Sequence, residues 1–201
     1  LQVSKSGTNT VREGRNVSYT ITATNRMPGD GGMTTYTMWA TNYNTDTDYT
    51  ILAAWTSHSN SFVPAYTDGL FATVIPAGGA DMIGLNGYSI ASQPGNISKV
   101  EIIIPCSNSA GWSDDTIKFS FHTNAGTVLV APIYSTNMTL ASLPAGKFLY
   151  VLDITTARTS WAWSDFELSK SNLVDVSAAK ASGPDGLPFT IDQAGIRITS
   201  D

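Results

Sequence analysis

The sequence predicts an all-β protein built as an antiparallel β-sandwich of about eleven or twelve strands. Three observations carry that expectation. Short segments alternate apolar with hydroxyl-bearing residues, as in Val17-Ser18-Tyr19-Thr20-Ile21-Thr22-Ala23, the period-2 pattern of a sheet with one buried face. Clusters of Gly, Pro, Asn and Ser punctuate these segments at the spacing usual for sandwiches. No helix-period segment longer than two turns interrupts them.

In chain order, Val17–Asn25 and Thr34–Asn42 match at Tyr, Thr, Ala, Thr and Asn, and Pro28, Gly29, Gly31 and Gly32 between them provide a reversal, so the two are expected to pair as a hairpin. Strands follow at Tyr49–Thr56, Leu70–Ile75, Ala80–Ile90 and Lys99–Pro105, all rich in β-branched or aromatic residues. Thr116–Thr123 alternates most clearly, with Ile117, Phe119 and Phe121 expected inward and Thr116, Lys118, Ser120 and His122 outward. Asn124-Ala125-Gly126 then turns the chain into Val128–Val130. Further strands are expected at Lys147–Thr155, Trp161–Leu168, Leu173–Ala178, Pro188–Asp192 and Gly195–Thr199. Residues 17–201 are read as one domain and residues 1–16 as an N-terminal extension.

Only 13% of the 201 residues are charged, against about 25% in ordinary soluble domains. Ser, Thr, Asn and Gly must therefore cover the surface, which suits an extracellular or cell-surface protein. A net charge of −5 with eleven scattered basic residues offers no footprint for a nucleic acid. No apolar run reaches the roughly 20 residues of a membrane span, so no membrane insertion is expected. The first residue, Leu1, is what removal of a signal peptide would leave. Cys106 is the single cysteine and continues the run Ile102-Ile103-Ile104-Pro105, which predicts a buried thiol.

Motifs for chemistry are sparse. His58 and His122 are the only histidines, and they form no His-Glu-x-x-His arrangement. Glu13, Glu101 and Glu167 are the only glutamates, and pairing of carboxylates for glycoside hydrolysis is spatial rather than sequential. Asp114-Asp115 reads as a solvated turn. Asn44-Thr45-Asp46-Thr47-Asp48 spaces its oxygens like half a calcium loop but lacks the following Gly and the closing Glu. No nucleophile elbow or phosphate loop is present. The expectation is a protein that is not an enzyme and needs no cofactor or metal. Asn16, Asn96 and Asn137 each open an Asn-x-Ser/Thr triplet and are candidate glycan acceptors in a secreted chain. Trp161 and Trp163 would share one strand face. Core burial is the expectation, and sugar stacking on an exposed indole pair is the alternative.

The phrases Glu13-Gly14-Arg15-Asn16-Val17-Ser18-Tyr19-Thr20-Ile21, Ile75-Pro76-Ala77-Gly78-Gly79 and Leu143-Pro144-Ala145-Gly146-Lys147 resemble the strand-and-turn grammar of immunoglobulin-like modules in prokaryotic surface proteins, including donor-strand filament subunits such as archaeal threads. The resemblance implies an immunoglobulin-like or jelly-roll-like sandwich and a structural subunit of an extracellular filament or pilus-like assembly, a homopolymer that can carry covalent glycans. Unpaired sheet edges must be blocked or used. Leu1, Val3 and Val11, in the segment before the first confident strand, are the candidate anchors of a strand donated to a neighbouring copy. A carbohydrate-binding or adhesive surface module is the alternative reading, and a viral capsid or spike jelly roll is a further one.

Overall fold

The computed structural model describes residues 2–6, 20–24, 32–44, 55–57, 60–61, 71–76, 80–112, 114–125, 130–182 and 186–201. Those residues form an all-β sandwich of antiparallel sheets. Fourteen strands occur in the order β1 (Gln2–Ser6), β2 (Thr20–Thr24), β3 (Thr34–Trp39), β4 (Asn42–Tyr43), β5 (Trp55–Thr56), β6 (Ala72–Val74), β7 (Ala80–Asn86), β8 (Ile97–Asn108), β9 (Thr116–His122), β10 (Tyr134–Thr139), β11 (Gly146–Asp153), β12 (Leu173–Ala179), β13 (Phe189–Ile191) and β14 (Gly195–Ser200). Twelve of them make the two large sheets. One runs β10-β9-β12-β7-β4; the other runs β3-β14-β8-β13-β6-β5, with β11 also paired to β8.

The expected pairing of the two matching N-terminal segments does not form. β2 pairs with β1, whereas β3 pairs with β14 from the far end of the chain. Similar alternation makes two segments equally good strands without making them partners, because the apolar phase selects a face and not a neighbour. Pairing of β1 with β2 also gives the expected donor segment a partner in its own chain, with Val3 opposite Ala23. Leu1, Val11, Asn16 and His58 lie outside the described residues, as do Val128 and Leu129 of the expected strand after the Asn124 turn.

β8 organises the larger sheet. Its twelve residues pair along one edge with β14 and then β13, and along the other with β11. Asp192 N–H donates to the Pro105 carbonyl and Ile154 N–H to that of Val100, so odd positions of β8 aim their main-chain groups at β13 and β14 and even positions at β11. Pro105 is tolerated in this central strand because its missing N–H would face the gap between β13 and β14. That gap absorbs one extra residue. Ile191 and Ile196, five apart, consequently both reach the core, where each is fully buried.

The core between the sheets contains Val100, Ile102, Ile104, Ile196 and Ile198 from the larger sheet and Ile83, Leu85, Ile117, Phe119, Phe121, Val174 and Val176 from the smaller. Phe119 and Tyr150 stack across it, ring centroids 4.6 Å apart. Trp161–Leu168 is not a strand: Trp163–Phe166 and Leu168–Lys170 are 3₁₀ turns. Asp165 explains the difference, since its carboxylate accepts from the Ala162 N–H at 2.8 Å and pairs with Arg158 at 2.7 Å, closing a local turn.

Candidate functional site

Alternation along β8 leaves Lys99, Glu101, Ile103, Pro105 and Ser107 on the face of the larger sheet away from the core. Registers with β3, β14 and β11 place cross-strand rows on that face. One row is Thr37, Arg197, Glu101 and Asp153. The next is Trp39, Gly195, Ile103 and Val151. Trp39 therefore stands on the outer face although its neighbours Met38 and Ala40 are buried.

Gly195 is what admits the indole. A Cβ at that position would lie 2.7 Å from Trp39 Cε3 and 2.9 Å from its Cζ3, closer than a Cβ is found to approach, and a tight 3.0 Å from Ile103 Cγ1. The six-membered ring of Trp39 thus crosses bare backbone, beside an Ile103 that is buried yet outside the core. Trp39 itself is partly exposed. An aromatic held in this way offers apolar surface on a rigid strand rather than on a loop.

Beside it lies a polar ladder. Arg197 Nε donates to Glu101 Oε2 at 2.8 Å, and Lys99 Nζ pairs with Glu101 Oε1 at 2.6 Å and with Asp153 Oδ2 at 4.0 Å. Burial pushes the Glu101 carboxyl up, but its bonds to Arg197 and Lys99 more than offset this and hold it below the ordinary range. Hydrogen bonds from Thr155 to Asp153 lower that carboxyl as well. Two cations and two carboxylates cancel, so the ladder is rich in hydrogen-bonding groups and carries no net charge. Past it, Met33, Ser98, Lys99, Asp153, Thr155, Thr156 and Thr199 line an open groove of about 660 Å³. On the opposite side of the Trp39 row, Phe71, Pro105, Lys147, Leu149 and Asp192 border a pocket of about 210 Å³, with Lys147 Nζ 5.3 Å from the Phe71 ring centroid.

Other residues singled out by the sequence lie elsewhere. Trp163 is buried, edge-on to Tyr36 at 5.3 Å, with its indole N–H donated to the Gly95 carbonyl. Trp161 stacks on Phe166 at 5.3 Å and donates to the Thr155 carbonyl. The pair makes internal contacts instead of an exposed plate. Asn96 is exposed in the turn before β8, where its N–H donates to the Asp201 carboxylate and its carbonyl accepts from the Asp201 N–H. Asn137 is exposed on β10 opposite Lys118. Glu167 is exposed, far in sequence from the ladder that holds Glu101.

Two polar expectations are corrected. His122, expected outward, is buried with Asp175, and its Nδ1 lies 2.9 Å from the Val130 carbonyl. Asp115 is fully buried rather than solvating a turn; its carboxylate accepts the Ala181 N–H at 3.0 Å while Asp114 takes the hydroxyl of Ser182. Cys106 is buried. Among the described residues, no group of three or more His, Cys, Asp or Glu is placed to hold a metal.

Sequence reasoning passed over Trp39, Arg197 and Gly195. One signal was available: in Thr35-Tyr36-Thr37-Met38-Trp39-Ala40, the tryptophan falls on the threonine phase, which is the outward one.

No protein-family model matches the sequence, and no curated protein matches it. Solved structures with a similar fold include a xylan-binding module, CBM15, at 12% identity over 88% of this chain and 97% of that one, TM-score 0.39. An infectious bursal disease virus structure is similar at 10% identity over 96% of this chain and 36% of that one, TM-score 0.41. The K3 adhesin domain of Lys-gingipain from Porphyromonas gingivalis is similar at 10% identity over 82% and 90%, TM-score 0.39. At these values the likenesses assign no role to any residue.

Proposed function

We propose that the chain is a non-catalytic module that binds neutral glycans through the outer face of its larger sheet, in an extracellular or cell-surface protein. The observation that carries this reading is the seat of Trp39 on Gly195. Sugar rings pair apolar faces with equatorial hydroxyls, so a fixed aromatic surface next to dense hydrogen-bonding groups suits them. Arg197, Glu101, Lys99 and Asp153 are such groups, and their mutual cancellation of charge favours uncharged polysaccharide over a polyanion.

Affinity electrophoresis through gels containing neutral plant or microbial polysaccharides tests the reading. The native protein is expected to be retarded by at least one of them, and Trp39→Ala to run as in a blank gel while keeping its circular dichroism spectrum and melting temperature. Equal retardation of the folded Trp39→Ala protein, or binding confined to anionic polymers, overturns it.

A further inference from the structure

We propose that β11 is the seam through which two copies of this chain join antiparallel, merging their larger sheets into one. Among the described residues β11 pairs with β8 alone, leaving its second edge open along eight residues. The even positions of β11 face those of β8 that aim their main-chain groups at it. Lys147, Leu149, Val151 and Asp153 therefore direct their own N–H and C=O groups to the open edge.

An antiparallel copy must match these odd positions with odd positions, which leaves a small set of registers. In one of them Lys147 faces Asp153 of the second copy, Leu149 faces its Val151, and Tyr150 faces its own counterpart on the two-fold axis. Shifting by two residues in either direction breaks both charge pairs. Exposed apolar side chains agree with this register: Leu149 is 43% exposed and Val151 39%, an unusual load for an outer edge strand. Charges normally protect such an edge by repelling a second strand. Here the two ends carry opposite signs, so in an isologous pair they attract. β10, on the edge of the other sheet, is a run of Tyr, Ser, Thr, Asn, Met and Thr with no charge to set a register.

Sedimentation velocity across a concentration series tests the seam. The native chain is expected to dimerise, and Lys147→Glu and Asp153→Lys alone to weaken self-association by about tenfold, since each sets like charges opposite one another twice per dimer. A one-to-one mixture of those two variants restores both attractive pairs and should dimerise like the native protein. As a readout that leaves the charges intact, mixed Leu149→Cys and Val151→Cys proteins should oxidise to a cross-linked heterodimer, because directly opposed residues lie within disulfide reach. A native chain that stays monomeric to about millimolar concentration, where even weak seams are populated, overturns the proposal. So do charge variants that self-associate unchanged, or a cysteine mixture with no cross-link.

Discussion

His122 Nε2 and Asp175 Oδ2 stand 2.7 Å apart with side chains only 3% and 7% exposed, on the face of the smaller sheet that alternation assigns to water. The pair lies on adjacent strands, β9 and β12, and the carbonyl of Val130 closes over the second ring nitrogen. In a buried pair of this kind each group replaces the water that the other has lost. Asp175→Ala is therefore expected to cost about 1–3 kcal/mol, because it leaves the buried imidazole Nε2 without that partner. His122→Ala/Asp175→Ala should cost clearly less than the two single changes added together, measured by urea denaturation; additive losses would show that the groups are not coupled.

Gly195→Ala should lower stability by about 1–3 kcal/mol, since the new methyl group meets Trp39 and Ile103 on the crowded outer face. Combining it with Trp39→Ala removes the obstruction. The double variant should then lose less than the sum of the singles in the same denaturation experiment, and Gly195→Ala alone should weaken polysaccharide retention by displacing the indole.

Glu101 gives a pH signature with a definite sign. Its carboxyl titrates lower in the folded chain than in the unfolded one, so its contribution is fully present above the unfolded value of about 4.3 and is lost as pH falls through the folded value. Glu101→Gln should destabilise the protein at pH 7, and the gap between variant and native protein should narrow as pH falls below the unfolded value and the carboxylate protonates. A gap that stays constant across that range would mean that Arg197 and Lys99 contribute nothing to the carboxylate.

Trp163→Ala removes a buried ring along with its bond to Gly95 and should cost about 3–5 kcal/mol. Trp161→Ala should cost less, since Trp161 is only partly buried. Thermal melts of the two variants check the order, and the reverse order would contradict the packing.

Cys106 should resist alkylation in the folded protein, because burial pushes its thiol well above the usual range and little thiolate forms. Iodoacetamide labelling that tracks urea unfolding is the expected outcome, and stoichiometric labelling before unfolding would place the thiol at the surface.

Strand existence was legible in the sequence because each half-buried strand writes its own period-2 pattern. Ile117, Phe119 and Phe121 are inward as that pattern requires. Pairing was not legible: β3 and β14 meet across most of the chain, and nothing local in Thr34–Trp39 marks Gly195–Ser200 as its neighbour. Trp161–Leu168 misled for a different reason, since its apolar spacing suits a strand while Asp165 and Arg158 tie the backbone into a turn. The outer-face site fell between these cases. Trp39 was visible as a tryptophan on the wrong phase, but Gly195 acquires its meaning only once the register sets the two side by side. His122 and Ser120 showed that polar residues on the wetted phase can still be covered, because alternation records which side of a sheet a residue occupies and says nothing of what later packs over it.

β14 lies between β3 and β8, and the bonds that fasten it join residues 101 and 164 positions apart. During synthesis both flanking strands leave the ribosome long before the strand that unites them. The join between β3 and β8 therefore waits for β14 and carries the entropy cost of closing a long loop. Until β14 is in place, β3 and the facing edge of β8 are sheet edges open to mispairing.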